Sequence, residues 1–420
     1  MKSESFAALR YRDFRLLWFG QLVASAGSQM RRVAIAWHIF QLTHDPIALG
    51  PISVFRVLPV LLFSLAGGLM ADARDRRKVL LASQGAQVLA ASVLTWLTWV
   101  HLDSVPVIYL MVALTGIALA FEGPAQQSLV PNVVPREHVA NAFSLSSIFD
   151  EVASVVAAGV AGLVIAGLGG VGTVYALNAT SYVLVTGTLL LMKPVPPGPM
   201  AASTFSLRAV LDGARFIRNS PVILGAMLMD FFATFFASAN ALLPLIAADV
   251  LHTDAAGYGI LSAAPSVGSI VAGGVMSFRA RVRRPGLIML AAVAVYGIAT
   301  ILFGLSSVFV LSFVLFSFTG AGDTVSMVLR QTIRQLSTPD HLRGRMTSIN
   351  MIFATGGPQL GDMEAGIAAA LWGAPFAVVS GGIGCLLAVL LIAKLAPALR
   401  EYDGSMLPQS GATQPVPAWD

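Results

Sequence analysis

Long, uninterrupted apolar runs alternate with short polar segments along nearly the whole chain. A helix needs about 20 apolar residues to cross a bilayer, whereas the strands of a membrane β-barrel alternate apolar and polar residues. Because the runs are continuous, they predict membrane-spanning helices and an all-α integral membrane fold. The twelve predicted spans lie at about residues 14–40, 47–71, 78–100, 107–129, 142–167, 172–193, 220–248, 257–279, 286–304, 308–329, 346–371 and 374–395.

The composition agrees with this class of protein. The chain of 420 residues is 56% hydrophobic and only 11% charged, with a mean hydropathy of +0.78, whereas a soluble domain carries roughly 25% charged residues. The net charge of +5 does not indicate a nucleic-acid partner, because the bases lie in short connections between apolar runs. Cys385 is the only cysteine, which excludes a disulfide within the chain and a cysteine-rich metal site.

The distribution of the bases predicts the orientation in the membrane. Of the 26 Lys and Arg residues, 23 lie outside the predicted spans or at their ends. All 23 belong to the N-terminal segment, the even-to-odd connections or the C-terminal segment, and the opposite loops have no Lys or Arg. Since positive residues stay on the cytoplasmic side, we expect a multi-pass protein of the bacterial plasma (inner) membrane with both termini in the cytoplasm.

The chain divides near its middle into two similar halves. We predict an N-terminal six-helix lobe at 1–193, a cytoplasmic linker at 194–219, a C-terminal six-helix lobe at 220–396 and a disordered tail at 397–420. Within the linker, residues 206–218 have the pattern of a short amphipathic helix on the membrane surface. A shift of 204 residues aligns spans with spans and loops with loops throughout, and it superposes Gln127 on Gln331, Pro135 on Pro339 and Phe149 on Phe353. Such a parallel repeat is typical of two-lobed transporters.

Residues 67–78 join the second and third spans and hold one short motif. Gly68, Asp72, Arg76 and Arg77 fall on the pattern of a glycine, three residues, an aspartate and a basic run. This pattern resembles the loop between helices 2 and 3 of the major facilitator superfamily. Asp75 stands where a glycine is usual, and this acid resembles the branch that includes the enterobactin exporter. From the resemblance we expect Gly68, Asp72, Arg76 and Arg77 to form a conformational latch.

Two further segments, residues 11–15 before span 1 and residues 134–142 before span 5, also resemble this exporter branch, so the resemblance covers about residues 8–396. Span 5 has Gly159 and Gly162 but lacks the proline that follows glycine in many antiporters of the superfamily. The connection between spans 8 and 9 repeats the bases without an acid that matches Asp72. The first departure weakens the assignment as an antiporter but leaves the export topology unaffected.

Charged residues inside the spans are the candidate functional residues, because a charge near the bilayer centre costs at least about 2.5–3.5 kcal/mol. They are absent from the interiors of spans 3, 6, 9 and 12. The resemblance implies a major facilitator fold in which those four spans form the outer scaffold and spans 1, 4, 7 and 10 line a central cavity, and the charges agree with it. The charged residues are Arg31, Arg32, Arg56, Glu122, Asp150, Glu151, Asp230, Asp323, Asp362 and Glu364.

Each of these charges has two interpretations, contact with substrate or proton and a structural ion pair. We select as substrate or proton sites Arg31, Arg56, Glu122, Asp150, Glu151, Asp230 and Asp323. Neighbouring residues on a helix point about 100° apart, so Asp150 and Glu151 cannot face one point. Asp150 is the first candidate for a proton carrier, with Arg56 as its expected partner, and Glu122 is the second. An acid that moves between an apolar environment and an arginine would load and release a proton.

Signals of catalysis are missing from the sequence. It has no glycine-rich loop followed by Lys and Ser or Thr, no His or Cys spacing for a metal and no evident catalytic triad. We therefore expect no enzyme activity, cofactor or metal. The resemblance implies a secondary transporter that exports a small amphipathic compound, such as a siderophore or drug, by proton-coupled alternating access. The alternatives are a proton-coupled uptake symporter and a transporter-like membrane sensor. The expected partners are the small molecule, protons and the lipid bilayer, with no nucleic acid, and we expect a monomer.

Overall fold

The computed structural model describes residues 4–193, 215–278, 284–338 and 343–402, and these residues form helices with no β-strand. We number the twelve helices of 16 or more residues in chain order. They are α1 (Arg12–Thr43), α2 (Pro51–Ala73), α3 (Arg76–Trp99), α4 (Val105–Val133), α5 (Val139–Gly167), α6 (Gly170–Leu191), α7 (Pro221–Phe236), α8 (Ala255–Ser277), α9 (Pro285–Leu305), α10 (Phe309–Ser337), α11 (Arg343–Trp372) and α12 (Ala374–Leu395). Shorter helical segments are Glu4–Arg10, Pro46–Leu49, Arg136–His138, Leu243–Leu245, Ile246–Val250 and Pro397–Glu401.

Local sequence signals fix where several helices begin. Pro221 and Pro285 occupy the first helical positions of α7 and α9, where a missing N–H costs no intrahelical hydrogen bond. The Asp75 side chain accepts a hydrogen bond from the backbone N–H of Arg77 at 2.9 Å and caps α3. Asp254 caps α8 in the same way. Such carboxylates satisfy N–H groups that have no partner within the helix.

The helices pack as two six-helix lobes related by an approximate two-fold repeat. In the first lobe α1 packs on α5 and α6, α4 packs on α2 and α3, and α3 packs on α6. In the second lobe α7 packs on α11 and α12, α10 packs on α8 and α9, and α9 packs on α12. Each pair in one lobe therefore has its counterpart six helices later. Across the lobes, α5 packs on α8 and α2 packs on α11, and these two pairs are also related by the repeat.

The lobes are joined at one end of the bundle. We call the end where α1 begins and α12 ends the terminal end, and the opposite end the far end. One hydrophobic core runs through the far half of both lobes, and in it the ring of Trp37 stacks on Tyr258 across the lobes at 5.3 Å between centroids. In the terminal half each lobe has a core of its own, around Leu129 in the first lobe and Met229 in the second.

Glycines allow the two contacts between lobes at the far end. A Cβ added to Gly162 of α5 would lie 2.8 Å from the Cα of Gly259 in α8, which is closer than any side chain tolerates. A Cβ on Gly50, just before α2, would lie 3.0 Å from the carbonyl oxygen of Asp362 in α11. Backbone-close packing of small residues is the usual way in which membrane helices associate tightly.

The structure corrects three predicted boundaries. The seventh span was expected to be continuous over residues 220–248, but α7 ends at Phe236 and a turn separates it from Leu243–Leu245 and Ile246–Val250. The tenth helix continues beyond residue 329 to Ser337. The tail was expected to be disordered from 397, but Pro397–Glu401 is helical because Leu399 and Tyr402 are buried in the core of the second lobe.

Nine helices of the described part are long and apolar enough to cross a membrane, namely α2, α3, α4, α5, α6, α8, α9, α10 and α12. Of the other three, α7 is apolar but has only 16 residues, because its predicted span is broken. Arg31 and Arg32 make α1 more polar, and Asp362 and Glu364 do the same for α11. The protein is thus a multi-pass membrane protein, consistent with twelve spans. Residues 194–214, most of the predicted linker helix and the tail beyond residue 402 lie outside the described residues.

Candidate functional site

A cavity of about 360 Å³ lies in the terminal half of the first lobe, between α1, α3, α4, α5 and α6, and Glu122 and Asp150 both line it. The Glu122 carboxylate accepts hydrogen bonds from Gln84 at 2.9 Å and from Gln87 at 2.5 Å, both on α3. Amide donors stabilise a buried carboxylate without neutralising it. Glu122 therefore retains the chemistry needed to take up a proton from the cavity.

Asp150 faces the same cavity from α5 but has a different partner from the one predicted. Its carboxylate accepts hydrogen bonds from the Ser25 hydroxyl at 2.7 Å and from Gln21 at 3.4 Å, both on α1. The expected pair with Arg56 is not formed. Arg56 lines a second cavity, where its electrostatic partner is Asp362. The prediction of the pair was wrong because helix depth alone does not determine which faces of α2 and α5 meet.

The second cavity, of about 320 Å³, lies between the two lobes. Three guanidinium groups of the first lobe line it, those of Arg31 and Arg32 on α1 and Arg56 on α2. Arg32 also lines the first cavity, so it lies at the junction of the two. The second lobe contributes polar residues from the broken seventh span and from α8 and α11, namely Ser238, Asn240, Tyr258, Ser262, Gln359 and Asp362.

Asp362 of α11 connects the lobes at the floor of this inter-lobe cavity. Its carboxylate accepts hydrogen bonds from the hydroxyls of Ser53 in the first lobe and Ser238 in the second. The backbone N–H of Ala241, in the turn that follows α7, donates a further hydrogen bond. These bonds stabilise the break in the seventh span, since a backbone without helical hydrogen bonds at membrane depth must be satisfied by protein or by water in a cavity.

Asp230 and Asp323 form a separate cluster in the second lobe. An Asp230 carboxylate oxygen lies 2.9 Å from the guanidinium of Arg330, and both side chains are almost completely buried. Asp323 interacts electrostatically with Arg330 and repels Asp230. None of the three lines either of the two cavities described above. Arg330 was not predicted as a site residue, because the tenth span was expected to end at residue 329.

A further buried polar group lies at the far end of the first lobe. His38 of α1 contacts the carboxylate of Asp103 at 2.7 Å through Nε2 and the hydroxyl of Tyr175 at 3.1 Å through Nδ1. From the sequence His38 was assigned no role, because it lies near the predicted end of span 1. Its partners come from a loop and from α6, so only the fold brings them together.

The predicted latch residues are only partly described. The Asp72 side chain lies outside the described residues. The guanidinium of Arg77 donates hydrogen bonds to the carbonyls of Leu189 and Leu190 at 2.7 and 2.8 Å and fastens α3 to the end of α6. A Cβ on Gly68 would meet open space, and it is Gly67 whose backbone packs directly on α4, at Ala120.

The remaining candidates lie apart from the two cavities. Glu151 is half-buried and lines neither of them, whereas Asp150 beside it does. Glu364 on α11 is likewise half-buried, while Asp362 faces the inter-lobe cavity. In the part of the chain that is described, no group of three or more His, Cys, Asp or Glu residues is placed to hold a metal ion.

Sequence comparisons show that the chain is similar to membrane transporters. The sequence model of a family described as "transmembrane secretion effector" matches residues 3–417. The enterobactin exporter EntS of Shigella boydii serotype 18 is 26% identical to the chain over 389 residues and covers 93% of each protein. The enterobactin exporter EntS of Citrobacter koseri is also 26% identical, over 390 residues and 93% of each protein.

Solved structures share the fold at low sequence identity. A bacterial homologue of the human lysosomal transporter Spinster, inward-facing and occupied, has a TM-score of 0.73 at 16% identity and covers 93% of this chain and 99% of its own. A D-xylose–proton symporter has a TM-score of 0.71 at 14% identity with the same coverage. A bacterial homologue of the iron transporter ferroportin, also inward-facing, has a TM-score of 0.68 at 17% identity and covers 92% of this chain and 98% of its own.

Proposed function

Because the chain belongs to the transmembrane secretion effector family of major facilitator transporters, we propose that it exports a small amphipathic compound, such as a siderophore or a drug, across the bacterial inner membrane. Membership of the superfamily and of the exporter branch confirms the resemblance predicted from residues 67–78 and 134–142. Relatives named as enterobactin exporters along 93% of the chain support the export of a small molecule.

The proposed orientation places the terminal end in the cytoplasm. This follows from the bases in the terminal segments and the even-to-odd connections, under the positive-inside rule. The described arrangement, with the lobes joined at the far end, would then be an inward-facing state that loads its cargo from the cytoplasm. A cysteine in place of the exposed Ser104 at the far end, introduced after Cys385→Ala, should react with an impermeant maleimide in intact cells, and a cysteine at Asn219 should not. The reverse pattern would overturn the orientation.

Alternating access would occur by rocking of the two lobes about the inter-lobe cavity. The contacts between α5 and α8 and between α2 and α11 would separate at the far end while the terminal ends of the lobes closed. Asp362 suits such a gate, since its hydrogen bond to Ser53 crosses from one lobe to the other. The domain limits at residues 193 and 220 belong to this proposal, because rocking requires a connection that bends.

Proton coupling is proposed to use the acids of the first cavity. Asp150 and Glu122 both face it, and each is hydrogen-bonded by neutral groups. Asp150 remains the first candidate, and Arg32, instead of the predicted Arg56, is the arginine that lines the same cavity. A ligand or proton shifts the balance between two states only through its differential affinity for them. An acid that is protonated in one state and ionised in the other would meet that requirement.

The observation that carries the proposal is the charged cavity between two lobes that, among the described residues, share a hydrophobic core in their far halves and have separate cores in their terminal halves. In inside-out vesicles with an acidic lumen, the protein should drive uptake of a compound from a panel of siderophores and drugs. Asp150→Asn or Glu122→Gln should abolish uptake driven by the pH gradient, while Glu151→Gln, at equal membrane levels, serves as the matched control. Normal uptake by both cavity variants would contradict proton coupling through this cavity.

The two alternative functions, an uptake symporter and a membrane sensor, differ from an exporter in the direction of transport or in the absence of transport. An uptake symporter would accumulate the compound in right-side-out vesicles with acid outside, and a sensor would bind it without moving it in either preparation. Export is favoured because the curated relatives are named exporters. Net accumulation that occurs only in right-side-out vesicles would show that the protein is an uptake symporter and not an exporter.

We also propose that Asp72 acts as a conformational latch between the lobes. Its carboxylate would cap the start of α11 across the lobes, since a helix N-terminus stabilises an anion by about 0.3–1 kcal/mol, and up to ~2 kcal/mol when it is partly buried. Asp72→Asn should reduce uptake in the vesicle assay without loss of protein. Asp75→Asn is the matched control, because asparagine caps a helix as well as aspartate does. Equal uptake by both variants and the wild type would leave residues 67–78 as a loop that only orients the protein.

A further inference from the structure

The inter-lobe cavity holds more positive than negative charge. Arg31, Arg32 and Arg56 line it, and among the described lining residues Asp362 is the one acid. The guanidinium groups are close enough to repel one another, since Arg32 experiences the charges of both Arg31 and Arg56. A cluster of like charges is unfavourable in a protein of low dielectric constant, so the arrangement calls for a counter-charge.

The protein itself provides little of that counter-charge. Both carboxylate oxygens of Asp362 accept hydrogen bonds from serine hydroxyls. Among the described residues, no carboxylate forms an ion pair with Arg31, Arg32 or Arg56. Asp362 attracts Arg56, and Glu122 of the neighbouring cavity attracts Arg31, but both attractions act at longer range than an ion pair. The Arg31 side chain is only 6% exposed, and its buried Nε has no hydrogen-bond partner. A buried donor without an acceptor is rare in a native structure.

The two sides of the cavity differ in chemistry. All three arginines come from the first lobe, on α1 and α2. Across from them, the second lobe presents Asp362, neutral polar groups such as Asn240 and Gln359, and an edge of Tyr258, whose ring stacks on Trp37. Apolar side chains of the first lobe, such as Ile52 and Val112, lie beside the arginines. A guanidinium donates parallel hydrogen bonds that match a carboxylate, sulfonate or phosphate group. A ligand with an anionic group at one end and an apolar or aromatic body at the other fits both sides.

We propose that the inter-lobe cavity binds an organic anion, with its charged group held by Arg31 and Arg56 and its apolar body packed towards Tyr258 of the second lobe. The proposal rests on the proposed transport function, in that the anion is the cargo. It narrows the amphipathic cargo to one that carries a negative charge. A volume of about 320 Å³ is at the lower end of the range for small-molecule sites, which suits a ligand of one or two aromatic rings.

The probe for this proposal is 2-naphthoate, compared with 2-naphthamide, which has the same shape and no charge. The purified protein is placed in nanodiscs, and binding is measured by calorimetry and by thermal stabilisation, with empty nanodiscs as the blank. We expect the wild type to bind the carboxylate about 10- to 100-fold more tightly than the amide. Arg31→Gln and Arg56→Gln should each reduce that preference about tenfold or more.

Two further variants separate binding from folding. Arg31→Lys keeps the positive charge but loses the forked donor geometry, so it should retain part of the preference for the carboxylate. Arg400→Gln removes the same charge from the exposed C-terminal end and should bind naphthoate as the wild type does. Equal affinity for the two probes, no binding of naphthoate by the wild type, or a preference unchanged in Arg31→Gln and Arg56→Gln would overturn the proposal.

The outcome of this binding experiment can be distinguished from the outcome of the export assay. Arginine-dependent binding of naphthoate without any uptake into vesicles would leave an anion site in a protein that is not an exporter. Uptake of a neutral or cationic compound, together with equal binding of the two naphthalene probes, would leave the exporter and remove the anion site.

Discussion

At the scale of single residues, the Asp230–Arg330 pair shows how the second lobe tolerates buried charge. The two side chains are almost completely buried and lie 2.9 Å apart, and Arg330 donates a further hydrogen bond to Ser326. Each partner removes the cost of burying the other, although such a pair contributes little more to stability than well-packed apolar residues would. Loss of one of the two charges is therefore expected to cost more stability than loss of both.

The first prediction concerns this pair. Arg330→Gln should destabilise the protein by about 3–5 kcal/mol, because it leaves the Asp230 carboxylate buried without a counter-charge. The double variant Asp230→Asn/Arg330→Gln should recover a large part of that loss. Unfolding of the four proteins of the double-mutant cycle in detergent measures the coupling. Additive effects of the two single changes would show that the pair is not coupled and that Arg330 acts mainly through Asp323.

The sequence identified the buried acids more readily than their partners. Glu122, Asp150 and Asp230 were found because a charge within an apolar run is costly and therefore noticeable. Gln84, Gln87 and Ser25 were missed, since neutral polar residues are common in membrane helices and only the packing of α3 and α1 brings them to the acids. Arg330 was missed because a base at a span end also fits an orientation signal.

At the scale of helices, the break after α7 is the main feature that hydropathy could not predict. Residues 220–248 form one apolar run, but the helix stops at Phe236. Asn240 and Pro244 are local signals of a break. The Asp362 carboxylate on α11 stabilises it from a distant part of the chain. Local periodicity does not predict an interaction between residues so far apart in the sequence.

The second prediction concerns the contact between α5 and α8. Gly162→Ala places a Cβ 2.8 Å from the Cα of Gly259, whereas a Cβ on Gly159, one turn earlier, meets open space. Both changes improve helix propensity by about 1 kcal/mol, so Gly159→Ala is the matched control. Overpacking typically costs about 1–3 kcal/mol, and we expect Gly162→Ala to unfold at a lower temperature than Gly159→Ala. Equal melting temperatures would show that α5 and α8 are not held by this contact.

At the scale of the whole molecule, the repeat was predictable and the conformational state was not. The shift of 204 residues in the sequence corresponds to the matching helix pairs of the two lobes, because the order of apolar runs determines which helices neighbour each other. Which end of the lobes closes depends on contacts such as Gly162 with Gly259 and Trp37 with Tyr258. In a transporter the two closed arrangements differ by only a few kcal/mol, and local sequence patterns do not resolve such differences.

Spin-label distances measure whether the two lobes alternate between closure at the far end and closure at the terminal end. In the Cys385→Ala background, one labelled pair replaces Ser104 and Ser307 at the far end, and another replaces Lys78 and Leu336 at the terminal end, all four being exposed. Pulsed electron paramagnetic resonance then gives the distance distribution of each pair in nanodiscs, in mildly acidic and mildly alkaline buffer. If the lobes alternate, we expect two populations whose balance shifts with pH, in which the far-end distance lengthens as the terminal-end distance shortens. A single unchanging distance for both pairs, or changes of the same sign at the two ends, would contradict it.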